Sequence, residues 1–332
     1  IVTNGPKAYI QDSPIPSANV DEVIIKVIVS GSNPKDWFFY NIDGNVGDDI
    51  AGFVHAVGQD VVEFKVGDRV AAFHEMTKPG GSYAEFAVAP AHTTFHIPQS
   101  ISFEEAATLP LAALTSAVGL YSPKQLALPN PWAPDVSSTP IVIYGGASAV
   151  GAYAIQFARR SNLHPIIAVA GRGIQFVEGR IDKNKGDTII DYRQGDDKIV
   201  QGITEALKGQ KLLYAFDAVS QGSSYINLGK VMSKGGKIVT VLPANREKVP
   251  ESVELQWTSV GAVHGEEKDL GFVFSRLIGR GLRNGWFQPH PHEVIPGGLE
   301  GIEKALIRLK QNKASAVKYV FKVEETPGVG KT

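Results

Sequence analysis

The sequence contains no cysteine among its 332 residues. This absence excludes disulfide bonds, thiol nucleophiles and zinc sites that depend on cysteine. A chain without disulfides is typical of a reducing compartment, so we expect a cytoplasmic location. No signal peptide is recognisable, but the chain opens on Ile1 rather than methionine, which leaves its natural start open.

Long apolar runs and a surplus of one charge are also absent. No run of about 18 apolar residues occurs, so we predict no membrane-spanning helix. The 33 basic and 34 acidic residues give a formal net charge of −1. This balance offers no electrostatic basis for binding nucleic acid or an anionic membrane, and we expect neither as a partner.

Two kinds of catalytic site find no support in the sequence. Histidine pairs occur at His92 and His96 and at His290 and His292. Prolines flank the first pair, the second pair sits in a proline-rich loop, and neither has a supporting carboxylate or cysteine at ligand spacing. We therefore predict no metal site. The G-x-S-x-G pattern of a hydrolase nucleophile is also missing.

The pattern of predicted elements changes along the chain. Residues 1–100 contain short β-branched segments separated by turn residues, which predicts a small barrel-like β unit. From residue 141 strands and helices alternate, which is typical of a doubly wound parallel sheet and of the α/β class. The predicted strands are 141–144, 166–169, 188–190, 212–217 and 237–242, with helices at 150–160, 174–182, 197–208 and 222–232. Two later helices, 267–284 and 299–310, precede a strand at 318–323 that we expect to return to the β unit.

A glycine turn follows the first of these alternating strands. The spacing of Gly146, Ser148 and Gly151 fits G-x-G-x-x-G with serine in the middle place. Such a turn directs backbone N–H groups and a helix N-terminus at an anion, usually a dinucleotide pyrophosphate. The alternative is an ordinary turn without a ligand. The predicted cofactor-binding residues of this turn are Gly146, Ala147, Ser148, Ala149, Val150 and Gly151.

The end of the second alternating strand indicates which dinucleotide is bound. NAD enzymes usually place a carboxylate there for the ribose 2′-hydroxyl. Here no carboxylate occurs before Glu178, and Arg172 stands where a 2′-phosphate would need a cation. Arg180 and Lys183 are weaker alternatives, and Arg172 could also be a solvated loop charge. We predict NADPH as the cofactor.

Seven segments together resemble the medium-chain dehydrogenase/reductase superfamily, over nearly the whole chain. They are SNPKDW at 32–37, GDDIAG at 47–52, FKVGDRV at 64–70, GGSYAEF at 80–86, LPLAALTSA at 109–117, GGLEGIEKA at 297–305 and KASAVK at 313–318. Within the superfamily the chain is most similar to the zinc-free branch of fungal enoyl reductases and quinone-oxidoreductase-like proteins. Some of these act in trans beside polyketide synthases.

The resemblance implies a division into two domains. A Rossmann dinucleotide-binding domain would cover residues 113–264, and a GroES-like β-barrel domain that forms the substrate site would cover residues 1–112 and 265–332. The positions that match the catalytic zinc ligands of zinc-dependent members are Asn33, Asp48 and Leu111. One amide, one carboxylate and one leucine do not make a zinc site, so we expect metal-independent chemistry.

The resemblance also suggests individual site residues. It implies that Tyr192 lies beside the ribose phosphate and that Val219, Leu242 and Val263 line the cofactor. The candidate catalytic residues are Asn33, Lys35, Thr115 and Tyr40. Three of them, Asn33, Lys35 and Thr115, carry polar groups that could stabilise an enolate oxygen. Tyr40 would donate the proton to the α-carbon, and solvent is the alternative proton source.

The predicted function is hydride transfer from NADPH to an activated C=C bond of an enone or enoyl thioester. The alternatives are an NADPH:quinone reductase and a catalytically silent NADPH-binding partner protein. The expected partners are a small-molecule α,β-unsaturated carbonyl or quinone, or an acyl chain on a carrier protein. The sequence leaves a monomer and a homodimer open.

Overall fold

The computed structural model describes residues 2–38, 44–134 and 136–329. The chain divides into two compact units, a first unit of Ile1–Leu111 with Val263–Thr332 and a second unit of Ala112–Ala262. No helix in the described ranges has both the length and the apolar character that a bilayer crossing requires.

Fifteen strands occur within the described residues. They are β1 (Val2–Asn4), β2 (Lys7–Tyr9), β3 (Glu22–Gly31), β4 (Asp49–Val57), β5 (Arg69–Phe73), β6 (Phe86–Pro90), β7 (Thr94–His96), β8 (Ile141–Tyr144), β9 (Ile166–Ala170), β10 (Thr188–Asp191), β11 (Tyr214–Asp217), β12 (Lys237–Thr240), β13 (Glu254–Trp257), β14 (His292–Val294) and β15 (Lys318–Lys322).

Nine α-helices connect these strands in the same part of the chain. They are α1 (Lys35–Phe38), α2 (Phe103–Ala106), α3 (Pro110–Tyr121), α4 (Ala149–Arg160), α5 (Ile174–Glu178), α6 (Asp196–Leu207), α7 (Ser224–Val231), α8 (Lys268–Arg283) and α9 (Ile302–Lys310). Ser102 caps α2 with a capping box, in which its hydroxyl accepts from the Glu105 N–H while the Glu105 carboxylate accepts from the Ser102 N–H.

The second unit is built on a six-stranded sheet in the order β10-β9-β8-β11-β12-β13. All neighbouring strands are parallel. Strands β8 and β9 are buried along their whole length, which explains their continuous apolar sequence. This strand order is that of a Rossmann sheet, and it confirms the predicted doubly wound α/β fold.

The chain reverses its direction of growth across this sheet between β8 and β11. In such sheets, ligands bind at the carboxyl ends of the strands beside that switch point. The turns after β8, β9, β10, β11 and β12 therefore define the edge on which a nucleotide is expected. All the predicted cofactor residues except Val263 lie in these turns or in the first residues of the helix after β8.

Sequence reasoning missed strand β13 and misjudged some boundaries. The residues of β13 are mostly exposed at the sheet edge, so they lack the apolar run that identifies an inner strand. Strand β12 ends at Thr240 rather than at residue 242. The Val241 N–H makes the last bond to β11, to the Asp217 carbonyl oxygen, and also donates to Ser220 Oγ in the turn that follows β11. Helix α5 ends at Glu178, followed by Gly179.

The first unit contains a mostly antiparallel sheet in the order β14-β15-β3-β4-β5-β7, with β6 also paired to β3. Strand β3 pairs with β6 over its first half and with β15 over its last residues, which bends the sheet toward a barrel. The pairing of Val320 with Gly31 confirms that the last predicted strand returns to the β unit. The described residues thus form two compact units, a GroES-like barrel unit and a Rossmann unit.

Candidate functional site

The turn after β8 is fastened to the neighbouring strand. The N–H groups of Gly145 and Gly146 both donate to the carbonyl oxygen of Val169, at 2.9 and 3.0 Å. Ser148, which replaces the middle glycine of the fingerprint, caps α4, because its Oγ accepts from the Gly151 N–H at 3.0 Å. The serine therefore stabilises the start of the helix and does not disturb the turn.

The start of α4 leaves backbone donors open. In the part of the chain that the structure describes, the N–H groups of Ala147, Ala149 and Val150 have no hydrogen-bond acceptor. Orphan amides at a helix N-terminus, together with the positive end of the helix dipole, attract an anion. The turn is therefore suited to hold a phosphate group.

Gly151 is required by the close approach of α4 to the turn. A Cβ atom built there would lie 2.2 Å from the carbonyl oxygen of Gly145, a distance that a side chain cannot adopt. At Gly146 the same atom would meet Ala168 at 3.2 Å, so that position is less restricted. The shape of the turn thus depends most on the last glycine of the pattern.

Tyr192 lies beside the end of β9. A Cβ atom on Gly171 would be 2.4 Å from the Tyr192 ring, so the ring covers the position just before Arg172. Arg172 is exposed, and Tyr192 is 44% exposed. The neighbouring Arg193 is paired with Asp191 through distances of 2.6 to 3.1 Å. The Tyr192 ring thus covers Gly171, the residue before Arg172, at the carboxyl end of β9.

The turns after β11 and β12 are organised by the buried Asp217. Its Oδ1 accepts from the N–H groups of Val219 and Ser220 at 3.2 and 2.7 Å, and its Oδ2 accepts from Ser224 Oγ at 2.5 Å. Burial raises the pKa of this carboxyl. Val219 reaches the glycine turn, because a Cβ on Gly145 would lie 2.6 Å from Val219 Cγ1. Leu242, which is half-buried, follows β12 on the same edge.

Thr115 and Val263 lie apart from these turns in sequence. Thr115 belongs to α3 and is 7% exposed; its neighbour Ser116 donates to the carbonyl oxygen of Val150 at 2.7 Å, which ties α3 to the first turn of α4. Val263 clusters with the first unit, whereas the sequence analysis placed it in the dinucleotide-binding domain. Its side chain is fully buried, and its carbonyl oxygen accepts from His92 Nε2 at 2.8 Å.

The first unit contains a buried polar cluster around Asn33. The Asn33 Nδ2 group donates to Asp49 Oδ2 at 2.6 Å, and its Oδ1 accepts from Lys318 Nζ at 3.2 Å. The Asn33 backbone N–H donates to Asp36 Oδ2 at 2.7 Å, and Tyr83 donates to the same oxygen at 2.6 Å. These bonds hold Asn33 in one orientation within the cluster, and the residue is only 4% exposed.

Lys35 is held by three acceptors. Its Nζ lies 2.7 Å from Asp36 Oδ1, 2.5 Å from Asp48 Oδ2 and 2.8 Å from the carbonyl oxygen of Val46. Burial alone would lower its pKa, but the two carboxylates outweigh it and hold the pKa of Lys35 above its ordinary value. Burial raises the pKa of Asp48 to about 6, against the charge of Lys35. These contacts fasten the segment that leads into β4.

The donors that match the zinc ligands of zinc-dependent relatives do not fit a metal. Asn33 and Asp48 are engaged by lysines, and the Leu111 side chain has no ligand atom, while its N–H donates to Asp49 Oδ1 at 2.7 Å. Zinc requires nitrogen, sulfur or carboxylate ligands that are free to coordinate it. The described residues contain no group of three histidine, cysteine, aspartate or glutamate side chains that could hold a metal ion.

Sequence reasoning missed three members of this cluster, and one candidate residue is not described by the structure. Asp49 and Lys318 were not singled out, although a lysine at the start of the apolar segment KYVF is an unusual signal, and Tyr83 was read only as part of a motif. Tyr40, the predicted proton donor, lies outside the described residues.

Comparison with known proteins agrees with this architecture. Residues 19–99 match the alcohol dehydrogenase GroES-like domain. The chain is 46% identical over 308 residues to the trans-enoyl reductase fsr4 of Gibberella fujikuroi, which covers 91% of each protein. A quinone oxidoreductase of Pseudomonas syringae has the same fold, with a TM-score of 0.75 and 22% identity over 96% of this chain and 97% of that one. Mycobacterial Rv1454c, solved in complex with NADPH, matches at a TM-score of 0.72 and 21% identity over 93% and 94% of the two chains.

These similarities define the family. The chain belongs to the medium-chain dehydrogenase/reductase superfamily, in the zinc-free branch that contains the fungal trans-enoyl reductases. The resemblance inferred from the seven sequence segments is thereby confirmed.

Proposed function

We propose that this protein is an NADPH-dependent oxidoreductase that transfers a hydride to the activated C=C bond of an enone or enoyl thioester. The observation that carries the proposal is the turn between β8 and α4, where the contact of Gly151 with Gly145 and the open amides of Ala147, Ala149 and Val150 suit a dinucleotide pyrophosphate. The high identity to a trans-enoyl reductase supports a C=C bond as the reacting group.

The preference for NADPH rests on the ends of β9 and β10. A carboxylate after β9 would bind a ribose 2′-hydroxyl and repel a 2′-phosphate. In this chain that place holds the exposed Arg172, and the Tyr192 ring covers Gly171, the residue before it. An exposed guanidinium at this place suits a 2′-phosphate on the ribose.

Asn33 is the donor we propose for the substrate oxygen. The reduced nicotinamide would supply hydride to the β-carbon, and negative charge then develops on the substrate carbonyl oxygen. A preorganised hydrogen-bond donor that stabilises this charge lowers the barrier. One N–H of the Asn33 amide is taken by Asp49, and among the described residues no acceptor takes the second. Thr115 stays a second predicted donor to the substrate oxygen. Tyr40 and solvent stay the predicted sources of the proton for the α-carbon.

Lys35 is a weaker candidate than the sequence alone suggested. The Nζ group of Lys35 has three hydrogens, and Asp36, Asp48 and the carbonyl oxygen of Val46 lie within reach of them. A substrate oxygen would have to displace one of these acceptors. We therefore propose that Lys35 supports the cluster and that Asn33 contacts the substrate.

The chemistry is proposed to need no metal ion. The carboxylates nearest to the positions of the zinc ligands are paired with Lys35 and Lys318, whose charges oppose the entry of a divalent cation. The lysine ammonium groups thus supply the positive charge that balances these carboxylates.

A quinone is the alternative substrate, since hydride transfer needs the same approach of the cofactor, and the fold is shared with a quinone oxidoreductase. The catalytically silent alternative predicts binding of NADPH without turnover.

Oxidation of NADPH, followed by its absorbance, is to be measured with an enone, a quinone and a crotonyl thioester after dialysis against a chelator. The proposal expects turnover with the enone or the thioester. Turnover with the quinone alone, with none of the three, or only after zinc is restored would refute it.

The cellular setting of the reaction is part of the same proposal. We propose a cytoplasmic location, which a chain without cysteine favours, and an acyl chain on a carrier protein as the natural substrate. The oligomeric state, a monomer or a homodimer, is to be measured by light scattering on a sizing column.

A further inference from the structure

Lys318 is a buried cation in the first unit. It opens β15 and is 5% exposed. Its Nζ lies 2.5 Å from Asp49 Oδ2, 3.2 Å from Asn33 Oδ1 and 3.4 Å from the carbonyl oxygen of Thr108. An ammonium has three hydrogens, and each of them has an acceptor in this set.

Asp49, the partner of Lys318, is fully buried and shared by three groups. Its Oδ2 accepts from both Lys318 and Asn33, and its Oδ1 accepts from the N–H of Leu111 in the first turn of α3. A buried carboxylate is tolerated only when it is paired and hydrogen-bonded, and both conditions are met here. The ion pair therefore joins β15, β4 and the start of α3 around the Asn33 amide.

The ion pair determines which way the Asn33 amide faces. Its oxygen lies toward the ammonium of Lys318, and its nitrogen lies toward the carboxylate of Asp49. A flipped amide would set N–H against a cation and oxygen against an anion, both repulsive in a buried site. The charges thus fix one orientation, in which the second N–H of Asn33 points away from Asp49.

The ammonium of Lys318 also changes the donor strength of the Asn33 amide, because it bonds to the amide oxygen. Hydrogen bonds in a chain polarise one another, so an ammonium on Oδ1 makes the N–H groups of the same amide stronger donors. Lys318 has no hydrogen left for a substrate, so its influence passes through Asn33.

We propose that Lys318 is a positioning residue for the reduction: it holds Asn33 in the orientation that presents its second N–H to the enolate oxygen, and it strengthens that donor. This inference rests on the proposed function, in which Asn33 contacts the substrate oxygen. It assigns to Lys318, through its charge, a part of the electrostatic role that the metal ion has in zinc-dependent relatives.

The kinetic test is a double-mutant cycle between Lys318 and Asn33. Lys318→Met is expected to lower kcat about tenfold in the wild-type background and to have almost no effect in Asn33→Ala, because the residue acts through the amide. Equal effects in both backgrounds would overturn the proposal. Lys322→Met is the matched control, since Lys322 lies on the same strand, is more exposed and pairs with Glu104 at 2.9 Å.

A second variant separates positioning from a loss of folding. Lys318→Met leaves the carboxylate of Asp49 buried without its cation, which destabilises the fold. The double variant Lys318→Met/Asp49→Asn removes both charges together and is expected to stay folded by circular dichroism, yet to keep the loss in kcat with an unchanged Kd for NADPH. Wild-type kcat in this folded variant would contradict the inference.

A readout without turnover distinguishes this inference from the proposed function. In ¹⁵N–¹H spectra, the side-chain amide pair that disappears in Asn33→Ala is assigned to Asn33. It is expected to shift in Lys318→Met/Asp49→Asn, and to stay in place in Lys322→Met. An Asn33 signal that does not respond to the charge-removing variant overturns the role of Lys318 even if the enzyme is active. If the signal responds but no C=C substrate is reduced, the proposed function fails instead.

Discussion

The hydroxyl of Ser220 accepts a hydrogen bond from the backbone N–H of Val241 at 2.9 Å. It also donates to the carbonyl oxygen of Asp217 at 3.0 Å. The bond joins the turn after β11, which carries Val219, to the turn after β12, which carries Leu242. Two predicted cofactor contacts are thus set by one serine, whose own backbone takes a left-handed conformation with φ of 51°.

Ser220→Ala is expected to loosen both turns. The Val241 N–H keeps a weaker contact with the Asp217 carbonyl oxygen at 3.2 Å, so the loss of unfolding free energy should be about 1 kcal/mol. The Kd for NADPH should rise several-fold, because Val219 and Leu242 are less firmly placed. Fluorescence titration and urea unfolding measure the two effects, with the exposed Ser252→Ala as control. Unchanged NADPH affinity would show that these turns do not contact the cofactor.

Gly151→Ala is expected to abolish NADPH binding. The added methyl group would lie 2.2 Å from the Gly145 carbonyl oxygen and would force α4 away from the turn. The matched control is Gly179→Ala, where the added atom meets only the carbonyl oxygen of Phe176, at 3.8 Å. Isothermal titration should detect binding in the control and none in Gly151→Ala. Normal binding in both variants would mean that the cofactor does not use this turn.

Arg172→Ala is expected to weaken NADPH much more than NADH. Loss of a guanidinium on a phosphate costs about 1.5 to 3 kcal/mol, which corresponds to a rise in Kd of about ten- to a hundredfold. NADH lacks the 2′-phosphate and should change little. The control is Lys198→Ala, an exposed charge on α6. Equal weakening of both nucleotides would contradict the phosphate assignment.

His264→Gln is expected to make the fold less sensitive to acid. Burial, together with the nearby His92, lowers the pKa of His264 to about 3, from an ordinary 6.5. The unfolded chain therefore takes up a proton below about pH 6.5 that the folded chain refuses, so this contribution to stability is complete above that pH and is lost as pH falls toward 3.

The size of this effect can be measured by urea unfolding. Between about pH 6.5 and about pH 5, the wild type should lose up to about 2 kcal/mol that the His264→Gln variant retains. His55→Gln, at an exposed position, is the control. Parallel stability profiles of wild type and His264→Gln would refute the assignment.

The sequence predicted the Rossmann sheet well because its signals are local. Strand β8 has its predicted bounds, and α4 begins one residue before the predicted position. An apolar run, a glycine turn and a helical period all lie within about 20 consecutive residues. The glycine pattern indicated that the chain packs closely at Gly151. It did not indicate that the Gly145 carbonyl oxygen is the group that lies against it.

The polar cluster could not be predicted in the same way because its contacts are remote. Lys318 and Asp49 are separated by 269 positions, and their pairing depends on β15 lying next to β3, which in turn pairs with β4. Asn33 was singled out from the resemblance, but its partners follow only from the folded sheet. The left-handed turn at Ser220 likewise depends on the buried Asp217, which the sequence presents as one more strand residue.

The transfer of hydride to a C=C bond is tested most directly by isotopic labelling. The metal-depleted protein is incubated with a crotonyl thioester and NADPH that carries deuterium at the transferred position of C4, and the product is analysed by mass spectrometry and NMR. We predict a saturated thioester with one deuterium, bound to the β-carbon. A product without deuterium, deuterium at the α-carbon, or no reduced product in the absence of metal would contradict the account.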